Sequence, residues 1–200
     1  MNIYSRMVIV LTSIGLISGA FLAGVGTLTK NRIALNRQKE INEAIMKVVS
    51  GAEISNKIYE EKNLSIFKVN DRENNLLGYA IYTAGIGFQD KIYLMFGINP
   101  EITTIYSLTI VDQKETPGLG AKITSEKDFL QFWKNRDCTK EIILRKPPVS
   151  SPEQLSSSEV NIITGATISS EAVVKIVNET VERIRQLKNV GKLITEETND

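Results

Sequence analysis

Thr164-Gly165-Ala166-Thr167-Ile168-Ser169-Ser170 is the stretch around which this chain is organised. Hydroxyl side chains and one glycine crowd into it. An amphipathic pattern then runs from about Ser170 to Val190, with Val173, Val177, Ile184 and Leu187 on one face. The spacing predicts a helix that begins here. Its first N–H groups and the positive end of its dipole would face a loop rich in Ser and Thr, which suits a phosphate. Ser169 or Ser170 acting only as a helix cap, with Glu171 in the first turn, accounts for the same residues. The surrounding sequence has to decide between the two.

Working outward, Pro147-Pro148 and the Ser- and Pro-rich segment Ser150 to Ser158 form a surface loop leading to this motif. Before them lie a short strand near Glu141–Leu144 and a helix over Ser125–Trp133, with Ser125 as its candidate cap. Strand-like runs rich in Ile, Tyr, Phe and Val occupy Leu64–Val69, Leu76–Thr83, Lys91–Ile98 and Ile102–Val111. Asn74-Asn75 and Asn99-Pro100 separate neighbouring runs with turn chemistry. Short strands joined by brief turns imply an α+β domain over residues 52–190, a twisted and mostly antiparallel sheet flanked by helices.

No charged residue occurs from Met7 to Thr29, and at about 1.5 Å per residue this run reaches roughly 35 Å, enough to cross a bilayer. Residues 7–29 are therefore expected to be a retained transmembrane helix, after an amino-terminal tail at 1–6. A cleaved signal peptide is the rival reading, but the apolar run is long for one and Arg6 is the only charged side chain before it. Gly15, Gly19 and Ala23 recur at four-residue spacing and would let another helix approach closely. Residues 30–51 continue at helical spacing as a stalk that ends at Ser50-Gly51, and residues 191–200 read as a flexible polar tail. Lys30, Arg32, Arg37 and Lys39 outnumber the charges before the span, so the positive-inside rule alone would put the large domain in the cytoplasm.

Composition narrows the chemistry. The chain has 24 basic and 23 acidic residues, a balance that argues against nucleic acid as a partner. Cys138 is the only cysteine, so the chain cannot by itself build an internal disulfide or a four-thiolate cluster. It has no histidine, which removes the usual general base and the commonest transition-metal ligand. No metal site and no catalytic residue is expected, and any redox chemistry must reside in an organic cofactor.

A second stretch stands out at Glu115-Thr116-Pro117-Gly118-Leu119-Gly120. Pro followed by Gly makes a tight turn, and the second glycine lets backbone approach a flat ligand. Such turns after strands are also commonplace without any ligand. With both stretches in view, the chain resembles the FMN-binding subunits of the Rnf and Na⁺-translocating NADH:quinone reductase complexes, and its length is closer to RnfG than to NqrC. The resemblance rests on Glu115–Gly120, on the (Ser/Thr)-Gly-Ala-Thr-x-(Ser/Thr) signature at Thr164–Ser169 and on the amino-terminal span. It extends over Gly85-Ile86-Gly87-Phe88 and the strand at 91–98.

The resemblance implies FMN held covalently by a phosphoester on Ser169 and installed by an FMN transferase. It implies further that Thr164, Gly165, Ala166 and Thr167 shape the phosphate pocket, while Glu115, Thr116, Leu119 and Gly120 meet the flavin ring. Asn161 stands where the family usually has aspartate, so attachment would be slower if that carboxylate assists the transferase. The chain lacks a dinucleotide-binding fingerprint, so it would accept and donate electrons through partner subunits rather than act alone. The resemblance implies that those partners form a membrane complex coupling ferredoxin and NAD⁺ chemistry to Na⁺ or H⁺ transport. The family also implies a single-pass protein of the cytoplasmic membrane, with its flavin domain on the extracytoplasmic side. The alternatives are an FMN-bearing subunit of another extracytoplasmic reductase, or a membrane-anchored assembly or binding protein without flavin.

Overall fold

A computed structural model describes residues 2–193, and the part of the expected tail from 194 onward lies outside the described residues. The chain divides into two compact units, 1–41 and the remainder from Asn42. The first is a helix, α1 (Ile3–Val48), whose last turns belong to the second unit. Its apolar side chains, among them Leu11, Leu16, Phe21 and Leu28, are exposed, and it is long and apolar enough to cross a membrane.

The second unit is built on a six-stranded antiparallel meander, in the order β1 (Ile54–Glu61), β2 (Leu64–Asn70), β3 (Leu76–Ile86), β4 (Lys91–Ile98), β5 (Thr104–Asp112) and β6 (Arg136–Asp137). A small parallel pair joins β7 (Ile143–Arg145) to β8 (Glu159–Asn161). The α+β class and the mostly antiparallel sheet are those the strand runs imply. Strand β1 is absent from the sequence-based expectation because it is an edge strand. Its Ser55, Asn56, Lys57, Glu60 and Glu61 face solvent, so no apolar alternation marks it. Strand β5 starts later than expected, since Ile102 takes a positive φ of 62° in a turn where Asn99 Oδ1 accepts the Thr103 and Thr104 N–H groups.

The helix expected over Ser125–Trp133 does not form. Ser125 Oγ accepts the Asp128 N–H, as a cap would, but the backbone then tightens into a 3-10 turn over Leu130–Trp133. Phe129, Leu130, Phe132 and Trp133 all enter the core. So short a segment gains little from helical hydrogen bonding, and the packing of these side chains sets its path.

The closing helix is α2 (Thr167–Asn189), and the periodic apolar face seen in the sequence is the face that it buries. Val173, Val177, Ile184 and Leu187 lie in the core with Leu94, Phe96 and Ile81. Each such burial contributes about 1.5–3 kcal/mol. The helix runs against β3, where Thr83 and Thr180 share a buried hydrogen bond of 3.1 Å. Two residues along that strand, Gly85 leaves room for Ile176, whose Cδ1 would come within 2.9 Å of any added Cβ. One helical turn thus matches one strand repeat, which brings the start of α2 to the β3–β4 hairpin tip.

Candidate functional site

The glycine turn forms as its sequence predicts. Leu119 N–H donates to Thr116 O over 3.1 Å and Gly118 has φ 76°, the geometry of a Pro-Gly type II turn. The start of α2 differs from the capped form that the sequence allows. Ala166 occupies the N-cap position, and no side chain caps the helix. Ser169 and Ser170 both lie inside it. Ser170 is spent on the backbone, its Oγ donating to Ala166 O at 2.9 Å and accepting the Ile163 N–H at 3.3 Å. Ser169 turns the other way and donates to Glu115 Oε2 at 2.6 Å.

Glu115 is buried, although it carries a carboxylate and sits in a turn. Its Oε1 accepts the backbone N–H groups of Phe88 at 2.9 Å and Gln89 at 3.0 Å, both from the β3–β4 hairpin. One carboxylate therefore ties together the hairpin tip, the glycine turn and the first turn of α2. Two glycines make the slot. A Cβ at Gly120 would come within 2.5 Å of Ser169 Oγ and 2.7 Å of Glu115 Oε2, and one at Gly87 would overlap Glu115 Oε1.

A cavity of about 310 Å³ opens at this junction, lined by Phe88, Glu115, Thr116, Leu119, Gly120, Gly165, Ala166, Thr167, Ile168 and Ser169. Of the residues expected at the site, all but Thr164 line it. Thr164 is exposed and borders a neighbouring cavity with Asn161, Lys122 and Lys127. Phe88 and Ile168 are additions to the expected set. The sequence signal for Phe88 is the pair of glycines, Gly85 and Gly87, that precede it. Ile168 gives none, because it is the variable position of the hydroxyl motif. Phe88, Leu119 and Ile168 are more than half exposed, so apolar surface surrounds a buried hydroxyl.

Asn161 has a structural use of its own. Its Oδ1 accepts the Val149 N–H and its Nδ2 donates to Val149 O, both at 2.9 Å. An aspartate could make only the first of these bonds. Cys138 is inert, because burial pushes its thiol up to about 11. Among the described residues, no cluster of Cys, Asp or Glu could hold a metal ion.

A family model described as an FMN-binding domain matches residues 87–182, the span from the hairpin tip to α2. The RnfG component of the ion-translocating oxidoreductase complex of Methanosarcina acetivorans is 26% identical over 191 residues, covering 90% of this chain and 94% of that protein. This chain resembles RnfG. A second RnfG-like relative, from the proton-translocating ferredoxin:NAD(+) oxidoreductase complex of Clostridium ljungdahlii, is 29% identical over 169 residues, 84% of each chain. The crystal structure of Shewanella oneidensis NqrC shares the fold, with a TM-score of 0.50 and 20% identity over 70% of this chain and 72% of that one.

The residues present fit FMN. An uncapped helix start and a hydroxyl suit its phosphate, and the apolar side chains of Phe88, Leu119 and Ile168 suit a flat ring. Bound there, FMN would supply one- and two-electron transfer.

Proposed function

We propose that this chain is the FMN-carrying electron-transfer subunit of a membrane-bound Rnf-type complex, with the flavin attached through a phosphoester on Ser169. The observation that carries the reading is the convergence of two motifs 54 residues apart on one cavity, where Ser169 Oγ meets Glu115. Thr167, Ala166 and Gly165 shape the phosphate side, while Thr164, next in sequence, lines the neighbouring cavity. Thr116, Leu119 and Gly120 form the wall toward the ring. Attachment retains the cofactor, while the groups around the ring tune its potential. The partners are the other membrane subunits of the complex, which couple ferredoxin and NAD⁺ chemistry to Na⁺ or H⁺ movement, and an FMN transferase that matures the chain.

The attachment has a direct test. Coexpression with an FMN transferase should raise the intact mass by one FMN less water, and Ser169→Ala should abolish the increment. An unchanged mass in the wild-type chain, with no flavin fluorescence in a denaturing gel, would sink the reading.

We further place α1 across the cytoplasmic membrane as a single span, with the flavin domain on the extracytoplasmic side. The resemblance supports this side against the count of Lys30, Arg32, Arg37 and Lys39. Alkaline phosphatase fused after Asp200 should be active, and green fluorescent protein fused there should be dark. The reverse pattern overturns the placement.

A further inference from the structure

We infer that Glu115 is the proton acceptor for the step that esterifies Ser169, so that this chain supplies part of the chemistry of its own modification. The inference rests on the reading of Ser169 as the attachment point. Its geometry is that of an activated nucleophile. Ser169 Oγ lies 2.6 Å from Glu115 Oε2, within reach for direct proton transfer. The acceptor is itself oriented, because the Phe88 and Gln89 N–H groups hold its other oxygen at 2.9 and 3.0 Å.

The neighbouring serine provides an internal contrast. Ser170 is also buried, but its hydroxyl bonds only to main-chain groups of Ala166 and Ile163. Of two adjacent hydroxyls, the one that ends the flavin signature is the one facing a carboxylate. Holding the hairpin to the helix would not need a charge. A glutamine would reach as far, and a buried carboxylate has a desolvation cost that the amide avoids.

The step balances without any change of oxidation state. Ser169 Oγ attacks phosphorus in a flavin nucleotide activated as a pyrophosphate ester, which the transferase brings. The Oγ–H bond breaks and its proton passes to Glu115 Oε2. The Oγ–P bond forms, the pyrophosphate P–O bond breaks, and a nucleoside monophosphate leaves.

The test uses the full chain in detergent with one preparation of FMN transferase, with initial rates read by intact mass. Glu115→Gln can still accept the Phe88 and Gln89 N–H groups but cannot take a proton. It should load at least about a hundredfold more slowly than wild type, and its residual rate should keep rising with pH where the wild-type rate has levelled. Glu115→Asp keeps the carboxylate on a shorter arm and should load faster than the glutamine variant. Loading of Glu115→Gln within about threefold of wild type with the same pH profile, or faster than Glu115→Asp, overturns the inference. If Glu115→Gln does not fold, Glu115→Asp decides: its retracted carboxylate should load at least about tenfold more slowly than wild type, and loading at the wild-type rate overturns the inference. A wild-type chain that accepts no FMN at all would instead remove the attachment reading itself.

Discussion

Alanine at position 120 is expected to slow flavin loading by about a hundredfold and to destabilise the domain by roughly 1–3 kcal/mol. The new Cβ would come 2.5 Å from Ser169 Oγ, 2.7 Å from Glu115 Oε2 and 3.0 Å from Glu115 Cβ, so it would displace both members of the pair. Gly118→Ala is the informative control. No atom lies within 4 Å of a Cβ there, but φ is 76°, so alanine is strained by about 1–2 kcal/mol without touching Ser169. The two variants should therefore lose similar stability, each kcal/mol lowering the thermal midpoint by about 2–4 °C in a chain of this size. Only Gly120→Ala should also lose loading, measured by intact mass under limiting transferase. Equal loading by the two variants would show that the Ser169–Glu115 pairing has no bearing on attachment.

The dissociation matters because glycines in a turn can serve the backbone or the space beside it, and the sequence does not distinguish the two uses. Glu115-Thr116-Pro117-Gly118-Leu119-Gly120 announces a turn. The left-handed residue, Gly118, follows from the Pro-Gly order. That Gly120 is needed for closeness to Ser169, 49 residues further on, depends on tertiary closure, which no local pattern encodes.

The same division runs through the whole chain. The helix over the apolar, uncharged run at 7–29 was legible from its length and composition, and the face Val173, Val177, Ile184 and Leu187 because hydrophobic period reports directly on what an element buries. Strand β4 was legible for a related reason. Ile92 and the run Leu94–Ile98 are buried on both faces of the sheet, which leaves a nearly continuous apolar run. Strand β1 had no such signature, because an edge strand needs one ladder and little burial. Ser125–Trp133 carried a helical signature that core packing overrode. At the site, residue types and order were legible. The partner of Glu115 was not, because a carboxylate in a turn ordinarily faces water. Only the fold brings the Phe88 and Gln89 N–H groups and the Ser169 hydroxyl around it.

Gly97→Ala is expected to destabilise the domain by about 3 kcal/mol or more, because here the obstacle is backbone rather than a movable side chain. A Cβ at Gly97 would overlap the Val48 carbonyl oxygen and lie 2.8 Å from its carbon and 2.9 Å from Val49 Cγ2. The end of α1 is seated on β4 and β5 at this point. Ser107, the β5 partner of Gly97, donates to the carbonyls of Lys47 at 3.2 Å and Val48 at 3.4 Å in the last turn of α1. Ala44, Ile45, Val48 and Val49 are buried there, so lifting the helix end would expose all four. Thermal unfolding of the full chain in detergent, followed by the near-ultraviolet signal of the buried Trp133, should show a midpoint lower by roughly 6–12 °C. Gly24→Ala, with no atom within 4 Å of its Cβ, should leave the midpoint where it is. A wild-type midpoint in Gly97→Ala would mean that the helix end does not need its seat. Below its lowered midpoint Gly97→Ala should still load flavin at close to the wild-type rate. The cavity lies at the hairpin tip around Phe88, and Gly97 is well along β4 from that tip. Lost stability with retained loading in Gly97→Ala, set against lost loading in Gly120→Ala, would assign the two glycines to separate tasks, seating the end of α1 and keeping the space beside Ser169 open.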